Sequence, residues 1–376
     1  MNILLVNISL DAKLGGGTAE RTRHLAVHLA KAGCHCEAVA MTGNSWKEEF
    51  DAQAIDTYIT GRVGRKFPVP LVNPLKAWRS VRKAQVLHIM GYWNLLSVVY
   101  GFLAVVGKRP YILCPAGEFA SVGSPRPIML LFHKVLGQWL IKKSAGFIAI
   151  TELERDVIAQ VAGVPRANVP VVANAVSEPG PNIPAQPIRL PEEPFILFMG
   201  RLAEVKGPDF LIQAFIDTPE AQRYPLVMAG PDFGMQERLQ RQIEEAGLSD
   251  RVLFAGFLNE AQRTQAYRQA MMLVIPSRSE AMSLVALEAG IVGLPVLLTD
   301  TCGFDEVQAV GGGLVVPASA QGIAEGLRSM LADSGELKLK GERLKSYVTE
   351  HFTWSATVKS LIKRFEKLIR LGSIAD

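Results

Sequence analysis

Apolar positions along the chain come in short runs separated by polar stretches of helical period. In the first half the runs are ILLVNI (3–8), CEAVAM (36–41), VLHIM (86–90), YILCPA (111–116), GFIAIT (146–151) and VPVVAN (169–174). Each has the length of a buried strand and is bounded by polar or turn residues. Stretches such as 17–31 and 127–143 lie between several of them and repeat apolar residues at helical spacing. The alternation restarts with FILFMG (195–200), PLVMAG (225–230), VLFAGF (252–257), MLVIPS (272–277), PVLLTD (295–300) and GLVVP (313–317). Strands alternating with helices predict βαβ units and parallel sheets. The reading is two doubly wound α/β domains in tandem, with ligands expected at the carboxyl ends of the strands, in the cleft between the domains. The final stretch, TWSATVKSLIKRFEKLIRLG, places Trp354, Val358, Leu361, Ile362, Phe365 and Ile369 on one stripe and predicts an amphipathic closing helix.

Between the two halves, residues 179–194 read PGPNIPAQPIRLPEEP, with six of sixteen positions proline, as in a stiff extended linker. The expected domains are therefore 1–178, joined by the closing helix 354–371, and 195–353. A length of 376 residues with 49% hydrophobic and 20% charged positions supplies two cores and excludes a disordered chain. The stretch 86–107 is long enough to span a membrane, but His88, Asn94 and Ser97 interrupt it, and a buried strand followed by a buried helix is expected there. MNILLVNISL has neither a basic n-region nor a cleavage site and reads as a first strand.

Charge adds an asymmetry. Residues 1–180 hold 20 Lys+Arg against 12 Asp+Glu, a net of +8, and the remainder 20 against 24, a net of −4. The basic half should meet something anionic, yet it lacks the dense basic runs interleaved with aromatics of a nucleic-acid binder. Two stretches concentrate the charge. One holds Arg62, Arg65, Lys66, Lys76, Arg79, Arg82 and Lys83 beside Phe67 and Trp78, and the other holds Arg126, Lys134, Lys142 and Lys143 among Met129, Leu130, Leu131 and Phe132. A basic face with apolar residues suits the anionic inner leaflet, although a solvated basic face is as ordinary. Cys34, Cys36, Cys114 and Cys302 have no paired spacing for disulfides, and Cys34-His35-Cys36 lacks the second pair of a metal site. A reducing cytoplasm is the expected setting.

Three stretches carry candidate chemistry. In FMGRLAEVKGPDF a strand end, a glycine turn and a helix start bring Arg201 and Lys206 together, an arrangement that binds anions through free N–H groups, the helix dipole and two cations. In PSRSEAMSLVALEAG, Glu280 precedes a short helix that opens near Met282, Ser283 and Leu284, and Glu288 is expected two turns inside it, where sugar or ribose hydroxyls would satisfy a buried carboxylate. In LGGGTAERTRHLAVHLAKAG, Gly15, Gly16 and Gly17 run between the first strand and a helix and let backbone approach a ligand closely. Each also has a plainer reading: a solvated loop, a helix cap with an exposed glutamate, or a tight turn.

Together the three stretches resemble the GT-B glycosyltransferases, and within them the retaining family 4, also called group 1. GRLAEVKG resembles the family's G-R-x4-K-G motif, SEAMSLVALEAG has the spacing of its E-x7-E motif, and VMAGPD, VLFAGFL, LPVLLTDTCGFDEV and FTWSATV follow in family order. The resemblance implies two Rossmann-like domains facing across a cleft, with the last helix returning toward the first domain. It implies transfer of a hexosyl-type sugar, with retention, from a nucleotide-diphosphate donor to a glycan or lipid-linked acceptor in cell-surface polysaccharide synthesis, such as that of lipopolysaccharide. By the same resemblance Arg201 and Lys206 hold the diphosphate, Glu280 the sugar hydroxyls and Glu288 the ribose, and Glu280, Arg201 and Lys206 are the catalytic set. Donor binding extends to Gly16, Gly17, Gly200, Gly230, Met282, Ser283 and Leu284. No Asp-x-Asp occurs, so no metal and no cofactor beyond the nucleotide sugar is expected. The implied partners are donor, acceptor and, peripherally, an anionic membrane at its inner face, with no nucleic acid.

The chain departs from the family pattern at Met282-Ser283, where relatives commonly carry Phe-Gly, and in LCPAGEF, where Ala116 replaces a frequent histidine that contacts the transferred sugar. His88 and Glu118, both expected to follow strand ends, are candidate sugar or acceptor contacts, with a core or wall histidine the alternative for His88. Two other readings stay open: a degenerate transferase that binds nucleotide or a partner without turnover, kept open by Ala116, and a nucleotide-sugar epimerase, which the combined motifs disfavour.

Overall fold

The computed structural model describes residues 1–64, 68–123, 127–179, 187–333 and 335–374. Arg65, Lys66, Phe67 and Arg126 of the basic stretches, and 180–186 of the proline-rich seam, lie outside the described residues. The chain divides into two compact units, Met1–Asn174 with Trp354–Asp376, and Ala175–Thr353.

The first unit runs β1 (Asn2–Val6), α1 (Gly16–Lys31), β2 (His35–Ala40), α2 (Lys47–Ala52), β3 (Asp56–Ile59), a small hairpin of β4 (Arg62–Val63) and β5 (Val69–Pro70), α3 (Pro74–Lys83), β6 (Val86–Met90), α4 (Leu95–Val106), β7 (Tyr111–Cys114), α5 (Pro127–Phe132), a π-helical turn (His133–Gly137), α6 (Gln138–Lys143), β8 (Gly146–Phe147) and α7 (Glu152–Ala162). Six strands form a parallel sheet in the order β3-β2-β1-β6-β7-β8. Strands buried on both faces explain the unbroken apolar runs, and helix starts are set by Asn73, Asn94 and Thr151, whose side chains accept from the amides of Lys76, Ser97 and Glu154. The span-length stretch 86–107 resolves into β6 and α4, and among the described residues no helix is long and apolar enough to cross a membrane.

Two strand expectations fail in part. GFIAIT supplies only the two residues of β8, and VPVVAN forms no strand, making one isolated bridge between Val171 and Ala149. Pro170 has no N–H to offer a ladder, and the carbonyl of Val172 turns instead to the buried Arg21, whose Nη2 donates to it at 2.8 Å while Nη1 donates to Asn174 Oδ1 at 2.6 Å. Conversely, DTYI forms β3 against β2 although its first residue is an exposed aspartate.

The second unit repeats the plan: β9 (Ile196–Met199), α8 (Pro208–Ile216), β10 (Leu226–Ala229), α9 (Gln236–Glu245), β11 (Val252–Gly256), α10 (Glu260–Gln269), β12 (Met272–Ile275), α11 (Leu284–Val292), β13 (Val296–Thr299), α12 (Glu306–Ala309), β14 (Gly313–Val316), α13 (Ala320–Ala332) and α14 (Glu336–His351). Its parallel sheet has the order β11-β10-β9-β12-β13-β14. In both units the strand order reverses beside the first strand, between β1 and β6 and between β9 and β12. Chain leaving the carboxyl ends of such a pair departs in opposite directions and opens a crevice there, where open α/β sheets bind ligands.

The last helix, α15 (Trp354–Ile374), belongs to the first unit. Trp354 stacks against both His24 and His28 of α1, with ring centroids 5.1 and 5.3 Å away. Val358, Leu361 and Phe365 are buried along the expected stripe, and Ile362 and Ile369 are half-buried.

Candidate functional site

The crevice between β9 and β12 collects most of the residues singled out in the second half of the sequence. Gly200 and Arg201 follow β9 directly, a short 3-10 turn (Glu204–Lys206) presents Lys206, and Gly207 leads into Pro208 at the start of α8. Pro276 to Glu280 follow β12, and Ser283 precedes α11. The helix dipole and unpaired first-turn N–H groups of α11 open here without a side-chain cap.

Two backbone contacts bring these loops together. Gly207 has a φ of +62°, and a Cβ on it would lie 2.0 Å from the carbonyl oxygen of Pro276. Gly230, with φ +144°, follows β10, and its Cβ would lie 1.9 Å from the carbonyl oxygen of Gly200. Only glycine permits either approach. Arg278 ties the same loops by side chain. It holds Asp209 bidentately at 2.8 and 2.7 Å, donates to the Glu204 carbonyl at 2.6 Å and stacks its guanidinium on Phe210 at 3.7 Å, while its amide donates to Val205 at 2.8 Å. The hydroxyls of Thr299 and Thr301 both donate to the Ser277 carbonyl at 2.6 Å and fix the loop from below.

Lys206 Nζ lies 2.9 Å from Glu280 Oε1, and the Ser277 hydroxyl donates to the same oxygen. Arg201 places its guanidinium over the Phe233 ring, 5.2 Å from the centroid, and among the described residues makes no ion pair or hydrogen bond. Burial pulls its pKa down, with Glu280 opposing. Ser283 is fully buried, and its hydroxyl has no hydrogen-bond partner among the described residues. An unpaired cation, a buried unsatisfied hydroxyl and an uncapped helix start share one crevice. An anion with several acceptor oxygens would satisfy the cation and the helix start.

Glu288 stands just over one turn into α11, not two, because the helix opens at Leu284 rather than earlier. Its carboxylate is half-buried and already partnered: Tyr267 OH donates to Oε2 at 2.8 Å and Arg263 Nη2 lies 3.3 Å from Oε1. Met282 is buried and Leu284 half-buried. Sequence reasoning missed Arg278, Asp209, Phe233 and Ser277. The only signal was proximity to the motifs, as in PSRSE and GPDF.

In the first unit, Gly16 and Gly17 are not loop residues, because α1 begins at Gly16. Asp11 explains the tight approach: its Oδ1 accepts from the amides of Lys13 and Leu14 at 2.9 and 2.7 Å, winding the chain up to Gly15. His88 does not follow a strand end. It stands inside β6, opposite Leu5 of β1, buried and edge-on to Phe365 with centroids 6.2 Å apart, and its Nε2 has no partner among the described residues. Burial, seconded by the charge of Arg21, pulls its pKa down to about 3. Glu118 follows β7 and is committed to backbone, accepting from the amides of Tyr92 and of Trp93, the latter at 2.9 Å. Burial raises its pKa against those hydrogen bonds. Ala116 adopts a left-handed conformation with φ +53°, and the next amide, of Gly117, donates to buried Glu154 at 2.6 Å. Cys34 and Cys36 are buried and reduced, with burial pushing the Cys36 thiol up to about 12, and among the described residues no three His, Cys, Asp or Glu side chains converge on a metal position.

Two parallel sheets of one strand order, each with a crevice at its switch point, define a pair of Rossmann-like units of the GT-B kind. The model of Glycosyl transferases group 1 matches residues 181–350 and that of Glycosyltransferase Family 4 matches residues 15–178. A D-inositol 3-phosphate glycosyltransferase of Acidothermus cellulolyticus is 31% identical over 358 residues, covering 90% of this chain and 71% of that protein. An uncharacterized glycosyltransferase of Methanocaldococcus jannaschii is 32% identical over 177 residues, 46% of this chain and 45% of that protein. Among solved structures, Anabaena Alr3699/HepE in complex with UDP and glucose superposes with a TM-score of 0.76 at 17% identity, over 98% of this chain and all of that one. The chain belongs to the group 1, or family 4, glycosyltransferases.

Two outcomes are expected. Gly207→Ala combines a left-handed backbone, costing about 1–2 kcal/mol, with a backbone collision costing about 1–3 kcal/mol. Urea denaturation should therefore show a loss of several-tenths to most of that sum in the second unit, whereas an unchanged midpoint would mean the Pro276 contact is not tight. For His88, a folded pKa near 3 below an unfolded value of 6.5 means the unfolded chain takes the proton first. Stability is then lost as pH falls below about 6.5, by roughly 2 kcal/mol at about pH 5. His88→Leu should remove that much of the acid-side slope relative to wild type, and parallel pH profiles would contradict the assignment.

Proposed function

We propose that this protein transfers a hexosyl-type sugar from a nucleoside diphosphate donor to a glycan or lipid-linked acceptor, with retention of anomeric configuration and without a metal, in cell-surface polysaccharide synthesis. The observation that carries the reading is Arg201, whose guanidinium stacks on Phe233 but has no ion pair or hydrogen bond among the described residues, in the same crevice as Lys206 and the uncapped start of α11. Arg201 and Lys206 take the diphosphate, the first amides of α11 from Leu284 onward its outer oxygens, the Ser283 amide being held by the Cys302 carbonyl at 3.1 Å, and Gly200 and Gly230 keep the crevice floor bare of side chains. Glu280, already oriented by Ser277 and Lys206, accepts from sugar hydroxyls, and Glu288 from the ribose. UDP and glucose, which Alr3699/HepE binds, are the type of ligand meant.

In the transfer the bond from the anomeric carbon to the diphosphate breaks and a bond to the acceptor hydroxyl forms on the same face. Negative charge grows on the leaving oxygen, and two fixed cations stabilise it most when it is greatest. The hydroxyl proton passes to the departing phosphate, so the reaction balances as glycoside plus nucleoside diphosphate and places no acid–base demand on Ala116. The first unit supplies the acceptor side, with the start of α1 at Gly16 and Gly17 and the aromatic residues around the loop that Glu118 holds. His88, inside β6, acts there only as a packing residue. The basic first unit fits an acceptor carried at the anionic inner membrane face.

A thermal-shift screen against UDP-, GDP-, ADP- and dTDP-sugars in EDTA tests this. One nucleotide class should stabilise wild type by about 2.7 kcal/mol at a hundred times its dissociation constant, and the Arg201→Ala, Lys206→Ala double variant should not respond. No shift with any donor, or an equal shift in the double variant, would overturn the donor site. A shift without sugar transfer to any acceptor would leave a binding protein instead.

A further inference from the structure

The exposed outer face of α4, α5 and α6 has a composition that solvation alone does not explain. Ile128, Leu131 and Val135 recur at i, i+3 and i+7 and are 59, 64 and 62% exposed. Phe102 and Val106 on α4 are 55 and 54% exposed. α6, which continues the helical run of the first row, packs on α4. Gly101 of α4 lets Leu140 of α6 pack so closely that a Cβ would lie 2.5 Å from its Cδ1, and the Phe102 ring lies 6.2 Å from that of Trp139.

The inner side of the same segment is pinned, which fixes what points out. The π-helical turn places His133 Nδ1 2.6 Å from Tyr92 OH, and Gly137 passes so near Tyr92 that a Cβ would lie 1.8 Å from that oxygen. Phe132 is buried against the Tyr92 ring, 5.9 Å between centroids. Lys134, Lys142 and Lys143 are exposed among the outward apolar residues. From 93 to 150 the sequence has a single carboxylate, Glu118, and it is half-buried and held by the amides of Tyr92 and Trp93.

We infer that this α4–α6 face, rather than the basic stretch 62–83, is the surface on which the protein seats on an anionic lipid bilayer. Ile128, Leu131 and Val135 enter the boundary between headgroups and acyl chains, and Lys134, Lys142 and Lys143 meet the lipid phosphates. Cationic charge without exposed acid in the segment selects this occupant over a second copy of the chain, whose identical face would repel it. The stretch 62–83 is a weaker candidate because three of its described cations are engaged: Lys83 Nζ lies 3.0 Å from Asp56, Lys76 stands over the Tyr58 ring at 4.1 Å, and Arg82 packs on Trp78. The inference rests on the reading of a membrane-borne acceptor and names the surface that reaches it.

Co-sedimentation of the full chain with vesicles of phosphatidylcholine, with and without about one-third phosphatidylglycerol, tests it. Wild type should pellet with the anionic vesicles only, and less at high salt. Leu131→Asp with Val135→Asp should abolish pelleting, and Lys134→Ala, Lys142→Ala, Lys143→Ala together should weaken it about a hundredfold, while Arg62→Ala with Arg79→Ala leaves it unchanged. Wild type that stays in solution with both vesicles, or an aspartate variant that pellets like wild type, overturns the inference. So does gel filtration in which wild type is a dimer and the aspartate variant a monomer, because the face would then be an interface between copies. All these substitutions are on exposed side chains of the first unit, whereas the residues of the proposed donor crevice belong to the second. Thermal response to nucleotide sugars should persist in each, so loss of vesicle binding and loss of the donor reading are separable.

Discussion

The proposed donor crevice depends on chain crossing chain where no side chain fits. Gly207 lies against the Pro276 carbonyl and Gly230 against that of Gly200, so the loops after β9, β10 and β12 meet backbone to backbone at the carboxyl edge of the second sheet. The first contact draws the Lys206 turn onto the loop that carries Glu280, close enough for their ion pair. The second holds the peptide preceding Arg201. Arg278, clamped on Asp209 and on two carbonyls of the same turn, locks the arrangement. The functional side chains are thus placed by rigid backbone rather than by one another, which lets Arg201 remain unpaired.

An unpaired guanidinium and a buried unsatisfied hydroxyl are costly in a protein at rest. Ser283 gains nothing from its burial, since its hydroxyl neither caps α11 nor meets another group among the described residues. Such costs concentrate where a ligand relieves them. Among the described residues the first unit has unsatisfied buried atoms of its own, including His88 Nε2 and Arg21 Nε, but its acids are committed. Glu118 and Glu154 are each spent on two backbone amides, and Arg21 is spent on Val172 and Asn174. These groups shape the loops after β6 and β7 rather than await a substrate.

The sequence made the architecture legible because parallel strands buried on both faces leave continuous apolar runs, and all six runs of the second unit became strands. Reading failed where tertiary contacts overrode pattern. VPVVAN is apolar enough for a strand, but Pro170 and the demand of buried Arg21 take its backbone out of the ladder. Nothing in VLHIM showed that His88 would point inward without a partner. At the donor crevice the glycine, cation and carboxylate motifs stood in the sequence with their spacing intact. Their dependence on Arg278, Asp209, Thr299 and Thr301 did not, because those partners come from the loop after β12, from α8 and from the end of β13, and meet only in the folded unit.

The central claim is that this crevice binds a diphosphate through its own cations and amides. Calorimetric titration in EDTA with a nucleoside diphosphate and with its monophosphate, for the base that the protein accepts, tests it most directly. The account predicts that the diphosphate binds at least about tenfold more tightly, since the second phosphate adds charge-assisted hydrogen bonds each worth about 1.5–3 kcal/mol. Equal affinities, or diphosphate binding that appears only when a divalent metal is restored, would contradict it.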